Sequence, residues 1–145
     1  MVDSLHAPHT LAYDYTRSTG PVIGRFLSGL REHRVEGIRG EDGRVLVPPQ
    51  EADPLTGADL TEWVAVGDAG TVTTWAWVSD PKPQAPLDHP FAWALVRLDG
   101  ADTALLHAVD AGAESAMSTG MRVRARWADE PQGGILEIAC FEPEA

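Results

Sequence analysis

Met121-Arg122-Val123-Arg124-Ala125-Arg126-Trp127 alternates apolar and arginine side chains from end to end, and that alternation decides how the chain is built. A period of two places Met121, Val123, Ala125 and Trp127 on one face of a strand and the three arginines on the other, where they also guard the strand against unwanted edge pairing. Working outward, strand-like runs occupy Glu62 to Val66, Thr71 to Val78, Phe91 to Leu98, Ala104 to Val109 and Ile135 to Phe141. Turn signals such as Gly67-Asp68-Ala69-Gly70, Asp99-Gly100 and Gln132-Gly133-Gly134 separate them. Ala113 to Met117 reads as a single helical turn that caps the structure. Short strands at this spacing predict a mainly β chain whose residues 61–145 form a small OB-fold barrel of five strands.

Upstream of the barrel, Gly37 to Gly57 has the outline of a zinc ribbon without its metal. A ribbon needs two Cys-x-x-Cys knuckles, because four thiolates at tetrahedral reach bind a structural Zn²⁺ and supply the folding energy. Here Gly40 and Gly43 stand at the ligand spacing of the first knuckle, and Asp53 and Thr56 at that of the second. One carboxylate cannot hold zinc, so no bound metal or other cofactor is expected, and the apolar contacts of Val45, Val47, Pro48, Pro49 and Leu55 are expected to order the segment. A helix is predicted from about Asp14 to His33, its sharpest start at Ser18-Thr19-Gly20-Pro21. Val22, Ile23, Phe26, Leu27 and Leu30 recur at three- and four-residue spacing and make one apolar stripe. Gly24 and Gly29 weaken that helix, so it needs a surface to lie on, either its own barrel or another chain. The expected organisation is a flexible leader over 1–13, a helix and zinc-less ribbon over 14–60, and the barrel over 61–145. Phe26, Leu30, Val47, Pro48, Pro49 and Leu55 are the expected interface with a partner protein.

Charge and composition narrow the classes. The 145 residues suffice for one core, and no apolar run approaches the ~18 residues of a bilayer span, so no membrane segment is expected. A formal net charge of −11 opposes binding to a phosphate backbone, so nucleic acid is not an expected partner. The N-terminus lacks the basic and apolar regions of a signal peptide, and the single Cys140 fits a reducing cytoplasm. All the Lys and Arg residues but Lys82 are arginines, and all of these but Arg97 cluster in the first third or at 122–126. Guanidinium forks suit acidic partners and coenzyme phosphates, which makes Arg31, Arg34, Arg39 and Arg44 candidate contacts; a solvated charged face is the plainer alternative.

A search for catalytic chemistry finds nothing that converges. His6 and His9 lie in the leader, His33 ends the helix, His89 precedes a proline in a loop, and His107 alternates with Leu105 and Val109 in a strand. Cys140 falls on an apolar face. Asp99, Asp102 and Asp110 sit near turns or strand ends, where solvated charge is the default. Neither a nucleophile elbow nor a phosphate-cradling glycine loop is present. Trp75, Trp77 and Trp93 lie on strands, and the loop after the first two offers one lysine, Lys82, against Asp80 and Asp88, which favours core or protein-interface use over base stacking. The Pro-rich loop Val78 to Asp88 is stiff and extended, in keeping with a docking segment or a tolerated insertion.

Several motifs taken in order resemble the acyl-CoA-associated OB-fold family. They are Phe26-Leu27-Ser28-Gly29-Leu30, Val47-Pro48-Pro49 with Asp53-Pro54-Leu55-Thr56-Gly57, Trp63-Val64, Gly70-Thr71-Val72-Thr73-Thr74-Trp75, Pro90-Phe91-Ala92-Trp93-Ala94-Leu95-Val96, and Thr119-Gly120-Met121-Arg122-Val123. The departure is the missing cysteines, and this metal-poor version is most similar to the actinobacterial domain that accompanies a lipid-transfer-type thiolase homologue in steroid side-chain breakdown. The resemblance implies a non-catalytic partner of a thiolase-like enzyme, in a hetro-oligomer whose enzyme subunit cleaves a steroidal hydroxyacyl-CoA by a retro-aldol reaction. In that setting the domain is often fused behind an enoyl-CoA hydratase. The alternatives are a free-standing acyl-CoA-binding module that uses the arginines on CoA phosphates and, third, a nucleic-acid-binding OB module.

Overall fold

The structure, a computed structural model, describes residues 6–145. Its elements are α1 (Gly20–Arg31), β1 (Val35–Arg39), β2 (Val45–Leu46), β3 (Trp63–Val66), β4 (Ala69–Val78), β5 (Phe91–Leu98), β6 (Leu105–Val109), a 3₁₀ turn (Glu114–Ala116), β7 (Arg122–Trp127), a second 3₁₀ turn (Gly134–Glu137) and β8 (Ile138–Pro143). The barrel closes in the order β4-β5-β6-β8-β7, with β6 and β8 parallel and the other pairs antiparallel. This is the mainly β, five-stranded OB barrel that the strand spacing predicts, with its cap reduced to one 3₁₀ turn.

Two features of β4 permit closure. A register shift between Val72 and Thr74 bends the strand so that it pairs with β7 at one end and β5 along its length. At Gly70 an added Cβ would lie 2.4 Å from the Arg97 carbonyl oxygen, so only glycine permits this approach of β4 to β5. Inside, Val72, Val96, Val109, Val123, Ile138 and Phe141 fill the barrel.

The upstream segment is part of this core. α1 begins six residues later than predicted, at Gly20, where φ is +77° and Pro21 follows; residues 6–19 are exposed and form no regular element. The first five residues of the expected leader lie outside the described residues. Phe26 and Leu30 are 2% and 0% exposed and belong to the same apolar cluster as the barrel strands, together with Val35, Val45 and Val47. β1 and β2 form a small antiparallel sheet with β3 in the order β2-β1-β3. β3 thus pairs with the ribbon, and the closed barrel starts at Ala69. The loop between β5 and β6 fastens this sheet to the barrel. The Val45 N–H donates to Asp102 Oδ2 at 2.8 Å and the Val47 N–H to Thr103 Oγ1 at 2.7 Å, while the Asp102 N–H and the Thr103 hydroxyl donate back to the carbonyls of Val45 and Val47. These bonds satisfy backbone groups that an edge strand would otherwise leave unpaired.

Candidate functional site

The two zinc-less knuckles are joined by a carboxylate. Asp53, 3% exposed, accepts the Glu41 N–H on Oδ2 at 2.9 Å, and the N–H groups of Leu55 and Thr56 on Oδ1 at 2.8 and 3.1 Å. The first bond reaches across to the Gly40–Gly43 turn and the other two close its own turn. These bonds, the Glu41 N–H first among them, hold the Asp53 carboxyl below the usual range. Gly40 and Gly43 bring no donor side chain, and the one carboxylate is already spent on backbone N–H groups. The residues present do not fit a zinc ion.

The predicted interface residues do not form one surface, and only Phe26 and Pro48 meet, in the wall of one apolar depression. Phe26, Leu30, Val47 and Pro49 are buried within the chain, whereas Pro48 and Leu55 are exposed. The correction has a simple physical cause: the stripe of α1 packs on the chain's own barrel. A Phe26→Asp change would therefore break the core rather than probe a partner contact.

The arginines are also committed. Arg31 lies 3.6 Å from Glu137, Arg39 bonds Glu62 at 2.8 Å, Arg44 bonds Asp42 at 2.6 Å, and Arg34 pairs with Glu32 and with Glu36. They do not form one patch, since Arg31 and Arg39 line separate depressions. Arg25 bonds the Glu36 carboxylate at 2.8 Å and stacks over the Trp63 ring at 4.2 Å. On β7, Arg122 binds Asp99 and Glu144, Arg124 binds Asp68 and Glu144, and Arg126 lies near Glu142 and Asp110. Asp99, Asp102 and Asp110 are thus tie points of the fold rather than the solvated charges expected of them.

The histidines stay apart. His107 points into the barrel, where its Nδ1 accepts the Ala108 N–H at 2.8 Å and its ring meets Phe141 edge-on. Burial holds its pKa low, against the pull of backbone bonds at Ile135, Ala108 and Ile138. His33 stacks on Trp127 with ring centroids 4.6 Å apart. The Cys140 thiol is buried and pushed up to about 11, so it is no nucleophile at neutral pH. His89 bridges Asp88 and Asp110 at 3.1 Å on each side, and these bonds, Asp88 first, raise its pKa.

That bridge ties the Pro-rich loop to the end of β6 and gives a pH dependence. The imidazolium's contribution is complete below the unfolded histidine value of about 6.5 and is lost as pH rises through the elevated folded value. Hydrogen exchange of residues 79–90 should accelerate as pH rises through that window, after correction for intrinsic rates. His89→Ala should abolish this additional acceleration.

Outside the ion-paired face, the barrel presents a second, apolar one. β5 sends Ala92, Ala94, Val96 and Leu98 inward and Phe91, Trp93, Leu95 and Arg97 outward. Phe91 is covered by Leu87 of the Pro-rich loop, with Ala108 and Cys140 beside it. Trp93 and, on β6, Leu106 remain exposed, as do Ile135 and Leu136 of the second 3₁₀ turn. Glu137 anchors that turn by accepting the Gly133 N–H at 2.8 Å and facing Arg31. Of the residues on this face, only Trp93 was singled out from sequence. The near-continuous apolar run Phe91 to Val96, which asks for cover on both sides of its strand, is the signal that points to the rest.

Comparison with known proteins matches this architecture. Residues 63–128 match the family model described as the ChsH2 C-terminal OB-fold domain. No curated protein matches the chain. A solved structure described as the Ltp2-ChsH2(DUF35) aldolase is similar at a TM-score of 0.65 and 19% identity, over 88% of this chain and 98% of that one. A protein of unknown function from the DUF35 family of Sulfolobus solfataricus is similar at a TM-score of 0.64 and 16% identity, over 87% of this chain and 85% of that one. At such identities these two likenesses are of fold. Fold, motif order and the match over residues 63–128 agree, and in that segment the chain is similar to the ChsH2 C-terminal OB-fold domain.

Proposed function

We propose that this chain is a non-catalytic accessory subunit that binds a thiolase-like acyl-CoA aldolase and steadies its substrate site. The observation that carries the reading is the match of residues 63–128 to the ChsH2 C-terminal domain, supported by a fold shared with a chain of the Ltp2-ChsH2(DUF35) aldolase. In this reading the partner is an Ltp2-type, thiolase-like subunit, the assembly is a hetero-oligomer, and its reaction is retro-aldol cleavage of a steroidal hydroxyacyl-CoA in the cytoplasm. Acyl-CoA is then the substrate of the complex and not a ligand of this chain alone. The separation of the histidines supports a role without bond making, because a general acid or base needs a tuned pKa and convergent geometry. The engagement of Arg31, Arg34, Arg39 and Arg44 with acidic groups disfavours a free-standing CoA-phosphate module.

The test is acyl-CoA cleavage by the reconstituted complex carrying His89→Ala or His107→Ala, with assembly verified. Turnover should fall less than about tenfold. A thousandfold fall in kcat in an assembled complex, the scale of losing an essential group, would make this chain part of the catalytic machinery.

A further inference from the structure

We propose that the outer face of β5 and β6, with the 3₁₀ turn at Gly134–Glu137, is the surface on which the partner subunit docks. The inference rests on the subunit reading above and specifies which face serves it, centred on β5 and β6, with the helix and ribbon reaching only one margin of it through Ile23, Leu27 and Pro48.

The outward positions of a strand on the solvated side of a barrel are ordinarily polar. β7 obeys this with Arg122, Arg124 and Arg126, each paired to a carboxylate. Apart from Arg97 at the end of β5, the outward residues of β5 and β6 are apolar, with Leu95 opposite Leu106 and Trp93 two residues along. Two depressions flank this ridge and share Ile135 in their walls. One, of about 750 Å³, is lined by Pro86, Trp93, Ile135, Leu136 and Ala139, with Asp129 and Glu130 at its margin. The other, of about 470 Å³, is lined by Ile23, Leu27, Pro48, Leu95, Leu106 and Ile135 among others, all apolar. Of the exposed large apolar residues, Trp93, Leu106, Ile135 and Leu136 fall on this one face. Leu11, Tyr13 and Tyr15 lie on the exposed segment that precedes α1.

Charge identifies the occupant. No basic side chain lines either depression, and Asp129 and Glu130 have no ion-pair partner among the described residues. An acidic margin repels the phosphates of a coenzyme, so an acyl-CoA headgroup is a poor fit. It suits a folded protein that presents an apolar ridge with Lys or Arg at one end. The apolar ridge supplies the desolvated centre where most binding energy concentrates, and the carboxylates supply a polar rim.

Affinity of the full chain for an Ltp2-type thiolase-like subunit decides the matter, measured for wild type, Leu106→Arg, the double variant Asp129→Lys with Glu130→Lys, and Leu55→Arg as a control on the exposed second knuckle. Leu106 is 58% exposed and Leu55 70%, so both changes are compatible with folding, to be verified by near-ultraviolet circular dichroism. Leu106→Arg should raise Kd at least about a hundredfold, the scale of losing a central anchor. The double charge reversal should weaken binding about tenfold and make it tighter, not weaker, as salt rises. Leu55→Arg should change Kd less than about threefold. If Leu106→Arg fails to fold, the charge reversal, on an exposed loop, carries the decision. Undiminished binding by both the Leu106 and the charge-reversal variants, or loss of binding by Leu55→Arg alone, overturns the surface and leaves the subunit reading standing. A wild-type dimer that Leu106→Arg splits into monomers, with partner binding unchanged, assigns the face to a second copy and also overturns it. Absence of any association by the wild-type chain overturns the subunit reading, and this inference with it.

Discussion

Phe26→Ala is expected to destabilise the whole chain by about 3–5 kcal/mol, and to do so in a single unfolding transition. The phenyl ring is 2% exposed and sits in one apolar cluster with Val72, Val96, Val123 and Phe141 of the barrel. Truncation removes the transfer free energy of the ring and leaves a cavity between helix and barrel that rigid β strands close poorly. For a domain whose net stability is on the order of 5–15 kcal/mol this is a large share. Because the cluster also contains Leu30, Val45 and Val47, helix, small sheet and barrel should lose stability together. Urea unfolding followed in parallel by tryptophan fluorescence and far-ultraviolet circular dichroism checks this through coincidence of the two curves. A biphasic curve with the barrel midpoint unmoved would show that the helix and ribbon form an independent unit.

The second large effect is local. Asp53→Ala removes the one side chain that joins the two knuckles and leaves the N–H groups of Glu41, Leu55 and Thr56 without their acceptor. Hydrogen bonds to a charged acceptor are the stronger ones, and without the carboxylate these N–H groups turn to solvent. Hydrogen exchange at those three positions should accelerate on the order of tenfold to a hundredfold, with barrel amides such as those of Val96 and Val123 less affected. The bonds depress the Asp53 pKa, so their contribution is present above the unfolded aspartate value of about 3.9 and is lost as pH falls through the lower folded value. Asp53→Asn should retain part of the protection, because an amide oxygen can still accept on one side. Equal exchange in wild type and Asp53→Ala would mean that apolar packing alone orders the ribbon.

Much of the barrel is legible in the sequence because its signals are local. The alternation of Met121 to Trp127 and the turn at Asp99-Gly100 place β7 and the β5–β6 connection within a residue or two. The last strand starts later than its apolar run, since Gly133 and Gly134 both adopt positive φ and the chain then makes a 3₁₀ turn before entering β8 at Ile138. Pairing is non-local and less legible. Nothing near Trp63–Val66 announces that its neighbour is Val35–Ile38 rather than a barrel strand. The stripe on α1 showed that the helix must be covered, but periodicity cannot say by what, and its own barrel turned out to be the cover. The arginines illustrate the same limit. Clustering in sequence points to a shared surface, whereas the fold directs most of the guanidinium groups to separate carboxylates, some far along the chain, as Arg31 is to Glu137 and Arg124 to Asp68.

The central claim, a chain that acts by assembling with a thiolase-like enzyme, is tested most directly by sedimentation of the purified chain mixed with an Ltp2-type subunit, alongside titration of the chain alone with a CoA thioester. The account predicts a single hetero-oligomeric boundary and no heat of CoA-thioester binding to the isolated chain. Two independently sedimenting species, with the isolated chain titrating as a CoA-thioester binder, would contradict it.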